Sequence, residues 1–364
     1  MKLGVVGLPN VGKSTLFNAI TKAGAESANY PFCTIEPNVG VVDVYDERIY
    51  KLAELYNTNK IIPAQIEFVD IAGLVKGASE GAGLGNKFLS HIKEVDAIVH
   101  VVRCFKNDKI IHVDGTVDPI RDIETINLEL ILADIDTVTK RIDKIKRLVL
   151  GGAADLTMQK EYELLNKIFD LLKEQKPARL LKVDAEDKKI VDGFFLITTK
   201  PIIYVANTSD DLDDFQKENI QKIKEIASIE NAQVISLCAQ TEEELVNMDP
   251  EDRELFKAEL GIDVSGLDKL VVASYALLGL ISYITAGEKE VRAWTIKKGT
   301  LAPQAAGKIH TDFERGFIRA DVVKYEDLIT LRDYNACREK GKIISAGKDY
   351  VVQDGDIIVF KFNV

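Results

Sequence analysis

Short apolar runs recur through the first two thirds of the chain, and each leads into a turn rich in glycine or polar residues. Residues 3–6, 66–69, 201–206 and 234–237 are such runs. The first is followed, after a glycine-rich segment, by residues 16–20, which have helical spacing. Strands that alternate with helices in this way predict an α/β domain.

A long helical pattern begins near Leu128. Its apolar positions alternate in steps of three and four, which is a heptad seam. They are Leu128, Ile131, Ile135, Val138, Ile142, Ile145 and Val149. Gly151 and Gly152 end the pattern. A second helical stretch follows before Pro177, with Leu164 or Leu165, Ile168, and Leu171 or Leu172. We expect an antiparallel helical hairpin inserted at about residues 126–198.

The C-terminal region has a different pattern. A strand-like run at 291–296, a turn at Gly299, a helix-like segment at 303–313 and a strand-like run at 350–360 predict a small β-grasp domain. Asp354-Gly355 is a hairpin turn signal. Residues 307–313 suit a contact surface and an amphipathic core helix equally well. The uncharged run 270–286 is too short and too polar for a membrane span, and we interpret it as a buried helix.

Composition narrows the class of protein. The 364 residues suggest about two to three domains. A net charge of -11 argues against a protein that coats nucleic acid by bulk electrostatics, and we expect no DNA partner. Four scattered cysteines without a C-x-x-C pair indicate a reduced, cytoplasmic chain. Met1 leads directly into the first strand, so we expect no signal peptide.

Residues 7–14, Gly-Leu-Pro-Asn-Val-Gly-Lys-Ser, fit the phosphate-binding pattern G-x-x-x-x-G-K-[ST], between a predicted strand and a predicted helix. Glycines let successive backbone N–H groups point at phosphate oxygens, and the helix N-terminus adds partial positive charge. Lys13 would reach the β- and γ-phosphates, and the Ser14 hydroxyl would ligate Mg²⁺. The predicted nucleotide-binding residues of this loop are Asn10, Val11, Gly12, Lys13, Ser14 and Thr15.

Two further segments complete the predicted phosphate site. Asp70 ends the strand at 66–70 and begins a D-x-x-G motif, so we expect Asp70 to hold Mg²⁺ through water and the Gly73 amide to sense the γ-phosphate. Thr34, in a loop punctuated by prolines, is the candidate second metal ligand, although an ordinary connecting loop is the alternative. Leu74 stands where Ras-like proteins have a water-orienting glutamine.

Base recognition is expected after the strand at 201–206. GTPases normally have N-K-x-D there, and this chain has Asn207-Thr208-Ser209-Asp210. The stacking lysine is absent, whereas Asp210 keeps an acid of the right length for guanine. An ionised carboxylate would repel N1 of adenine. The local chemistry therefore leaves ATP and GTP open.

Taken together, these motifs resemble those of the YchF/Obg-like ATPase family of P-loop NTPases, over essentially the whole chain. The segments that carry the resemblance are residues 7–15, 29–38, 70–78 and 292–296. It implies a G domain at 1–279, interrupted by the helical hairpin, and a TGS domain of ubiquitin-like β-grasp form at 280–364. It also implies a preference for ATP over GTP and an association with ribosomes.

The resemblance assigns further roles. The family usually has N-x-x-E where this chain has Asp210, and we still favour ATP because the GTPase lysine is absent. The family's loop histidine matches His112, which becomes the candidate catalytic group with Lys13. The alternative is a solvent-exposed histidine without a chemical role. Several P-loop hydrolases with G-x-P-N-V-G-K-S use the asparagine to hold K⁺, so Asn10 predicts K⁺ as a possible second cofactor.

Three functions stay open from sequence. The first is an ATPase with low intrinsic turnover that acts on the ribosome as a translation or stress-related factor. The second is a GTPase of the same fold, and the third is an interaction module that binds nucleotide with negligible turnover. The hairpin's basic residues could contact RNA phosphates or form a solvated face. They are Lys140, Arg141, Lys144, Lys146 and Arg147.

Overall fold

The computed structural model describes residues 1–27, 38–71 and 83–363. Contacts divide the chain into two compact units, one of residues 1–40 and 67–270, the other of residues 41–66 and 271–364. The predicted sites Thr34, Gly73 and Leu74 lie outside the described residues. Among the helices that are described, none is long and apolar enough to cross a membrane.

The first sheet has six strands in the order β2-β4-β1-β5-β6-β7. From β4 to β7 every neighbouring pair is parallel. The strands are β1 Lys2–Val6, β2 Val39–Val44, β4 Ala64–Asp70, β5 Ala97–Arg103, β6 Ile202–Asn207 and β7 Gln233–Leu237. The predicted α/β domain is therefore observed. The sequence analysis did not predict strand β5, although all seven of its residues are buried.

The helices whose residues belong mainly to the first unit are α1 Lys13–Ser27, α3 Gly83–Glu94, α4 Pro119–Leu150, α5 Leu156–Lys173, α6 Ala185–Asp192, α7 Asp214–Ile229, α8 Ala239–Asn247 and α9 Pro250–Leu260. Helix α10, Gly266–Leu277, carries the chain across the boundary between the units. Helix α1 follows β1 after the glycine-rich turn, as the phosphate-binding motif requires.

Helices α4 and α5 form the expected hairpin. Asp118 caps α4, and Gly151 ends it. Ile131 and Val138 of the seam are buried, and Ile135, Ile142 and Ile145 are partly buried. They pack against α5 residues Leu164, Leu165, Ile168 and Leu172. Leu128, the first seam position by sequence, is 41% exposed, because α4 begins nine residues earlier and its first turns use another face, with Ile123, Ile126 and Leu130 buried.

The second sheet has the strand order β11-β10-β12-β8-β9-β3. The strands are β3 Ile61–Ile62, β8 Leu280–Ala286, β9 Val291–Lys297, β10 Phe317–Val323, β11 Ile344–Ala346 and β12 Ile357–Phe362. The helices are α2 Glu47–Leu55, α11 Ala302–Gly307, α12 Thr311–Arg315, α13 Tyr325–Leu331 and α14 Tyr334–Glu339. The core of this unit includes Tyr283, Ala305, Val322 and Phe360.

Four predictions near the C-terminus were wrong in detail. Residues 270–286 are not one helix, because Gly279 adopts a φ of 63° and the chain turns from α10 into β8. Residues 303–313 form two short helices, α11 and α12. The strand expected at 350–360 begins only at Ile357. The turn at Asp354-Gly355 makes no hairpin, since β12 pairs with β10 and β8.

Candidate nucleotide-binding site

The phosphate-binding loop joins β1 to α1. Gly12 in this loop has a φ of 92°, and a Cβ atom there would lie 2.1 Å from Nδ2 of Asn207. The Gly12 carbonyl accepts the first helical hydrogen bond, from the Leu16 amide at 3.0 Å. A side chain at position 12 would therefore be strained and would also collide with the base-side loop.

A cavity of about 710 Å³ opens at this loop. Asn10, Gly12, Lys13, Ser14 and Thr15 line one end of it. The other predicted loop residue, Val11, has its side chain buried in the core behind the cavity. Asn207, Thr208 and Asp210 also line the cavity and, as the predicted base-side residues, mark its base end, together with Ser209, Cys238, Ala239 and Gln240. The predicted phosphate-binding and base-binding residues thus share one cavity.

Lys13 and Asp70 meet at the phosphate end. Asp70 ends β4, in register with Val5 of the neighbouring β1, and Lys13 opens α1. Lys13 Nζ donates a hydrogen bond to Asp70 Oδ1, and Lys13 is buried. Because the loop and the end of β4 come together here, the ammonium and the carboxylate can act on the same phosphate and metal.

The oxygen atoms at this end suit a hard cation. Mg²⁺ prefers carboxylate and hydroxyl oxygens and keeps several waters. Asp70 supplies a carboxylate, and the exposed Ser14 on α1 supplies a hydroxyl. These two residues fit Mg²⁺, and Thr34, the third predicted ligand, is outside the described residues.

Asn207 connects the two ends of the cavity. Its Nδ2 donates to the Val11 carbonyl at 2.8 Å, and its Oδ1 accepts from the Ala239 amide at 3.0 Å. The residue is buried. Both polar atoms of the side chain are thus engaged with backbone, so Asn207 holds the phosphate loop against the start of α8.

Thr208 and Asp210 differ in orientation. The Thr208 amide and hydroxyl both donate to the Leu237 carbonyl, at 2.9 and 3.2 Å. Asp210 is exposed and lines the cavity, and its Oδ1 accepts a hydrogen bond from the Thr241 hydroxyl. Asp210 is therefore the acidic side chain available to a base, and no sequence motif predicted its pairing with Thr241.

Phe105, Lys106, Asn107 and Ile110 also line the cavity, although sequence reasoning did not select them. Arg103, buried at the end of β5, holds this segment. Its guanidinium donates to the carbonyls of Phe105, Asn107 and Ile110 at 3.0–3.2 Å. An arginine that ends a strand rich in aliphatic residues was the signal that could have pointed to this segment.

Asn10 links the phosphate loop to the same segment. It adopts a φ of 63°, and its Nδ2 donates to the Ile111 carbonyl at 3.0 Å. The left-handed region is one that asparagine tolerates better than most residues. The predicted K⁺ ligand, Asn10, thus lies at the cavity. The residue that it contacts, Ile111, immediately precedes His112.

His112 itself is buried, with a side chain 2% exposed, so the alternative of a solvent-exposed loop histidine is wrong. Its Nε2 lies 2.8 Å from Asp122 Oδ2, and its Nδ1 accepts from the Asp114 amide at 3.1 Å. This pattern assigns the proton to Nε2. His112 does not line the cavity. Its predicted catalytic role therefore requires a movement of the segment.

His112, Asp114 and Asp122 lie close enough to resemble a metal site. However, the guanidinium of Arg121 lies 3.1 Å from Asp122 Oδ1, 3.7 Å from Asp114 Oδ2 and 3.5 Å from His112 Nδ1. Both carboxylates therefore already face a cation, which makes this cluster a structural ion-pair network.

Burial raises the pKa of the Cys238 thiol, and a hydrogen bond with the Thr241 side chain opposes that rise. Beneath the site on β5, burial lowers the pKa of His100 to about 3, with a smaller contribution from the charge of Arg179. Both groups are therefore neutral near pH 7. Charge at the site comes from Lys13, Asp70, Lys106 and Asp210.

Comparison with known proteins agrees with this geometry. A family model described as "50S ribosome-binding GTPase" matches residues 2–148. A second, for the C-terminal region of YchF GTPases and described as "Protein of unknown function (DUF933)", matches residues 280–363.

Relatives match over the full length. The chain is 58% identical to the "Ribosome-binding ATPase YchF" of Bacillus subtilis, covering 99% of each protein, and 50% identical to that of Haemophilus influenzae, covering 100% of this chain and 99% of the relative. The structure of the Schizosaccharomyces pombe YchF GTPase superposes with a TM-score of 0.89 at 42% identity, covering 99% of this chain and 97% of that one. The predicted P-loop fold with a C-terminal TGS-like domain is confirmed, and the chain belongs to the YchF family.

Proposed function

We propose that this protein is a magnesium-dependent ATPase that acts on the ribosome in the cytoplasm. The observation that carries the proposal is the cavity lined by Lys13 on the phosphate side and by Thr208 and Asp210 on the base side, with Asp70 hydrogen-bonded to Lys13. Relatives at 50–58% identity are named ribosome-binding ATPases, which supports both the nucleotide and the partner.

Each residue at the phosphate end has a role in this proposal. Backbone amides from Asn10 to Thr15 hold the phosphates, and Lys13 neutralises the charge that develops on the transferred γ-phosphoryl group. Ser14 and Asp70, with Thr34, hold Mg²⁺, and the Gly73 amide senses the γ-phosphate. The Mg²⁺ that these residues would hold would supply positive charge to the phosphate groups.

His112 is proposed to position the attacking water, in place of the glutamine that Leu74 replaces. To do so it must leave Asp122 and turn toward the cavity. The contact between Asn10 and the Ile111 carbonyl ties this movement to the phosphate loop. Hydrolysis that waits for such a movement would have low intrinsic turnover.

The proposed ribosomal contacts are the hairpin and the C-terminal TGS domain at 280–364. On α4, Lys140 pairs with Asp136 at 2.6 Å, and Arg141 binds Glu161 on α5. Lys144, Lys146 and Arg147 are exposed, and none of them forms an ion pair with a described residue. These three unpaired cations support contact with RNA phosphates better than the paired ones do.

K⁺ is proposed as a second cation, held in part by Asn10 next to the β- and γ-phosphates. Its charge would supplement that of Lys13 during hydrolysis. The side chain's Nδ2 already faces the Ile111 carbonyl, so its Oδ1 would be the ligand atom.

Two other functions share this fold. GTP hydrolysis is favoured by Asp210 and by the name of the fission yeast relative, a GTPase. A binding module with negligible turnover is favoured by the absence of the usual glutamine at Leu74. Nucleotide titrations separate the first alternative from the proposal, and hydrolysis rates separate the second.

The test is steady-state phosphate release from ATP and from GTP with Mg²⁺, for wild type and Lys13→Ala. We expect release from ATP to exceed release from GTP and to fall at least about 100-fold in Lys13→Ala, because the transition state loses its charge partner. Lys144→Ala is a matched control that removes a lysine far from the cavity. Equal rates for wild type and Lys13→Ala would reject an enzyme, and faster release from GTP would reject ATP as the substrate.

A further inference from the structure

Position 208 lacks the lysine whose stem stacks on the base in GTPases with N-K-x-D. Thr208, which stands there, donates its hydroxyl to the Leu237 carbonyl at 3.2 Å, and its amide donates to the same oxygen. A threonine has no long stem, and this one is hydrogen-bonded to the backbone. The face of a bound base that such a lysine covers is therefore left to another residue.

Lys106 is a long side chain on another side of the same cavity. It follows β5, it is exposed, and it lines the cavity together with Thr208 and Asp210. Its ammonium lies 3.9 Å from the centre of the Phe215 ring. Phe215 is the second residue of α7, the helix that follows the base-side residues along the chain. The stem of Lys106 therefore runs from the segment after β5 toward the part of the chain that carries the base-side residues.

Both ends of the Lys106 side chain are held. At the backbone end, the carbonyls on either side of it, those of Phe105 and Asn107, accept hydrogen bonds from the Arg103 guanidinium at 3.1 and 3.2 Å. At the far end, the ammonium is attracted to the negative face of the aromatic ring. A stem held at both ends loses little conformational entropy when it contacts a ligand.

We infer that the methylene stem of Lys106 packs against the plane of the bound base and replaces the lysine that is missing at position 208. Lysine stems are apolar and cover apolar surface while the ammonium keeps its polar surroundings. Such packing forms no hydrogen bond with the edge of the base, so it contributes equally to adenine and guanine. This inference rests on the proposed nucleotide binding and leaves the distinction between the two bases to Asp210.

The test is equilibrium titration of the full-length protein with Mg²⁺ and three probes. Two are the imido analogues of ATP and GTP, and the third is inorganic tripolyphosphate, which has no base. Lys106→Ala removes both the stem and the charge. Lys106→Met removes the charge but keeps an unbranched stem, whose thioether also makes favourable contacts with aromatic rings. Lys109→Ala is the matched control, because Lys109 is an exposed lysine of the same segment that does not line the cavity.

We expect Lys106→Ala to weaken binding of both analogues by the same factor, about fourfold to 15-fold, the effect of covering one or two methylene groups. Lys106→Met should stay within about twofold of wild type, since the stem is kept and the charge of one exposed lysine is screened at physiological salt. Binding of tripolyphosphate should be the same in wild type and in all three variants, because this probe has no base to cover.

A double-variant cycle tests the contact with Phe215. Phe215→Leu should weaken binding of both analogues by about twofold to fivefold, the size of an exposed cation–π contact. In a Lys106→Ala background, Phe215→Leu should cause no further loss, because no stem remains to be held. An equal loss in both backgrounds would show that Phe215 acts without Lys106, and would overturn the anchored stem.

The failures are distinguishable. Wild-type affinity for both analogues in Lys106→Ala would overturn the role of Lys106 and leave the ATPase intact. Weaker binding of tripolyphosphate in both Lys106→Ala and Lys106→Met would identify Lys106 as a phosphate-binding cation, which would also overturn the inference. If the wild type bound none of the three probes, the proposed nucleotide site itself would be rejected.

Discussion

The two ends of the nucleotide cavity are built in different ways. At the phosphate end, the ligand groups are the backbone of one short loop and a few side chains whose types are fixed by phosphate and metal chemistry. At the base end, two of the three residues expected to contact the base are hydrogen-bonded to the protein backbone. Asn207 bonds to Val11 and Ala239, and Thr208 bonds to Leu237. All three line the cavity, and Asp210 accepts a hydrogen bond from the Thr241 hydroxyl.

This difference separates the groups that set the affinity for any nucleoside triphosphate from the groups that would discriminate between ATP and GTP. Phosphate contacts are the same for ATP and GTP, so the loop contributes binding free energy without discriminating between them. In the proposed function, discrimination depends on Asp210. Variants at the two ends should therefore change different quantities, the common affinity at one end and the ratio of affinities at the other.

The largest effect is expected for Gly12→Ala. Its φ of 92° and the Cβ position 2.1 Å from Asn207 Nδ2 would force the loop away from the base side. We expect binding of both nucleotides to be lost in calorimetric titrations. Gly152→Ala is the matched control, since Gly152 also has a positive φ, 71°, but has no atom within 4 Å of the added Cβ. Normal binding by Gly12→Ala would contradict the loop geometry.

A smaller effect, equal for ATP and GTP, is expected for Asn207→Ala. The change leaves the Val11 carbonyl and the Ala239 amide without partners, at a cost of about 1–3 kcal/mol each. Affinity for ATP and GTP should fall by the same factor, about tenfold to 100-fold. Asn166→Ala on the hairpin is the control. If only one of the two affinities changed, Asn207 would itself discriminate between the bases, and the proposed difference between the two ends of the cavity would be wrong.

The smallest effect is expected for Asn10→Ala. If Asn10 holds K⁺, wild-type hydrolysis should be faster in K⁺ than in Na⁺ by about fivefold, near 1 kcal/mol. The variant should lose this difference. Loss of the contact to Ile111 alone would lower the rates in both salts equally. A K⁺ advantage that persists in the variant would exclude Asn10 as a ligand.

The positions of the residues at the phosphate end could be predicted from sequence, because they are contiguous or end a strand at a known distance. Gly12, Lys13, Ser14 and Asp70 all lie where the motifs place them. The base end was only partly predictable. The partner of Asp210 lies on another element, and neither Thr241 nor Arg103 belongs to a motif, so their contacts exist only after folding.

The wrong predictions elsewhere in the chain have simple physical causes. The run 270–286 has no charge, and an uncharged run alone cannot distinguish a helix from a strand. Burial of His112 depends on Asp122, in the first turn of a helix whose start the heptad pattern missed. The division into domains at 279 and 280 stays a prediction, since the compact units also group residues 41–66 with the C-terminal part.

The most direct test of the account is the pair of affinities for the imido analogues of ATP and GTP, measured in wild type and Asp210→Ala. We predict that wild type prefers the ATP analogue, and that Asp210→Ala still binds both through the unchanged phosphate end with nearly equal affinity. If the variant kept the wild-type preference, base discrimination would lie elsewhere and the account would be wrong.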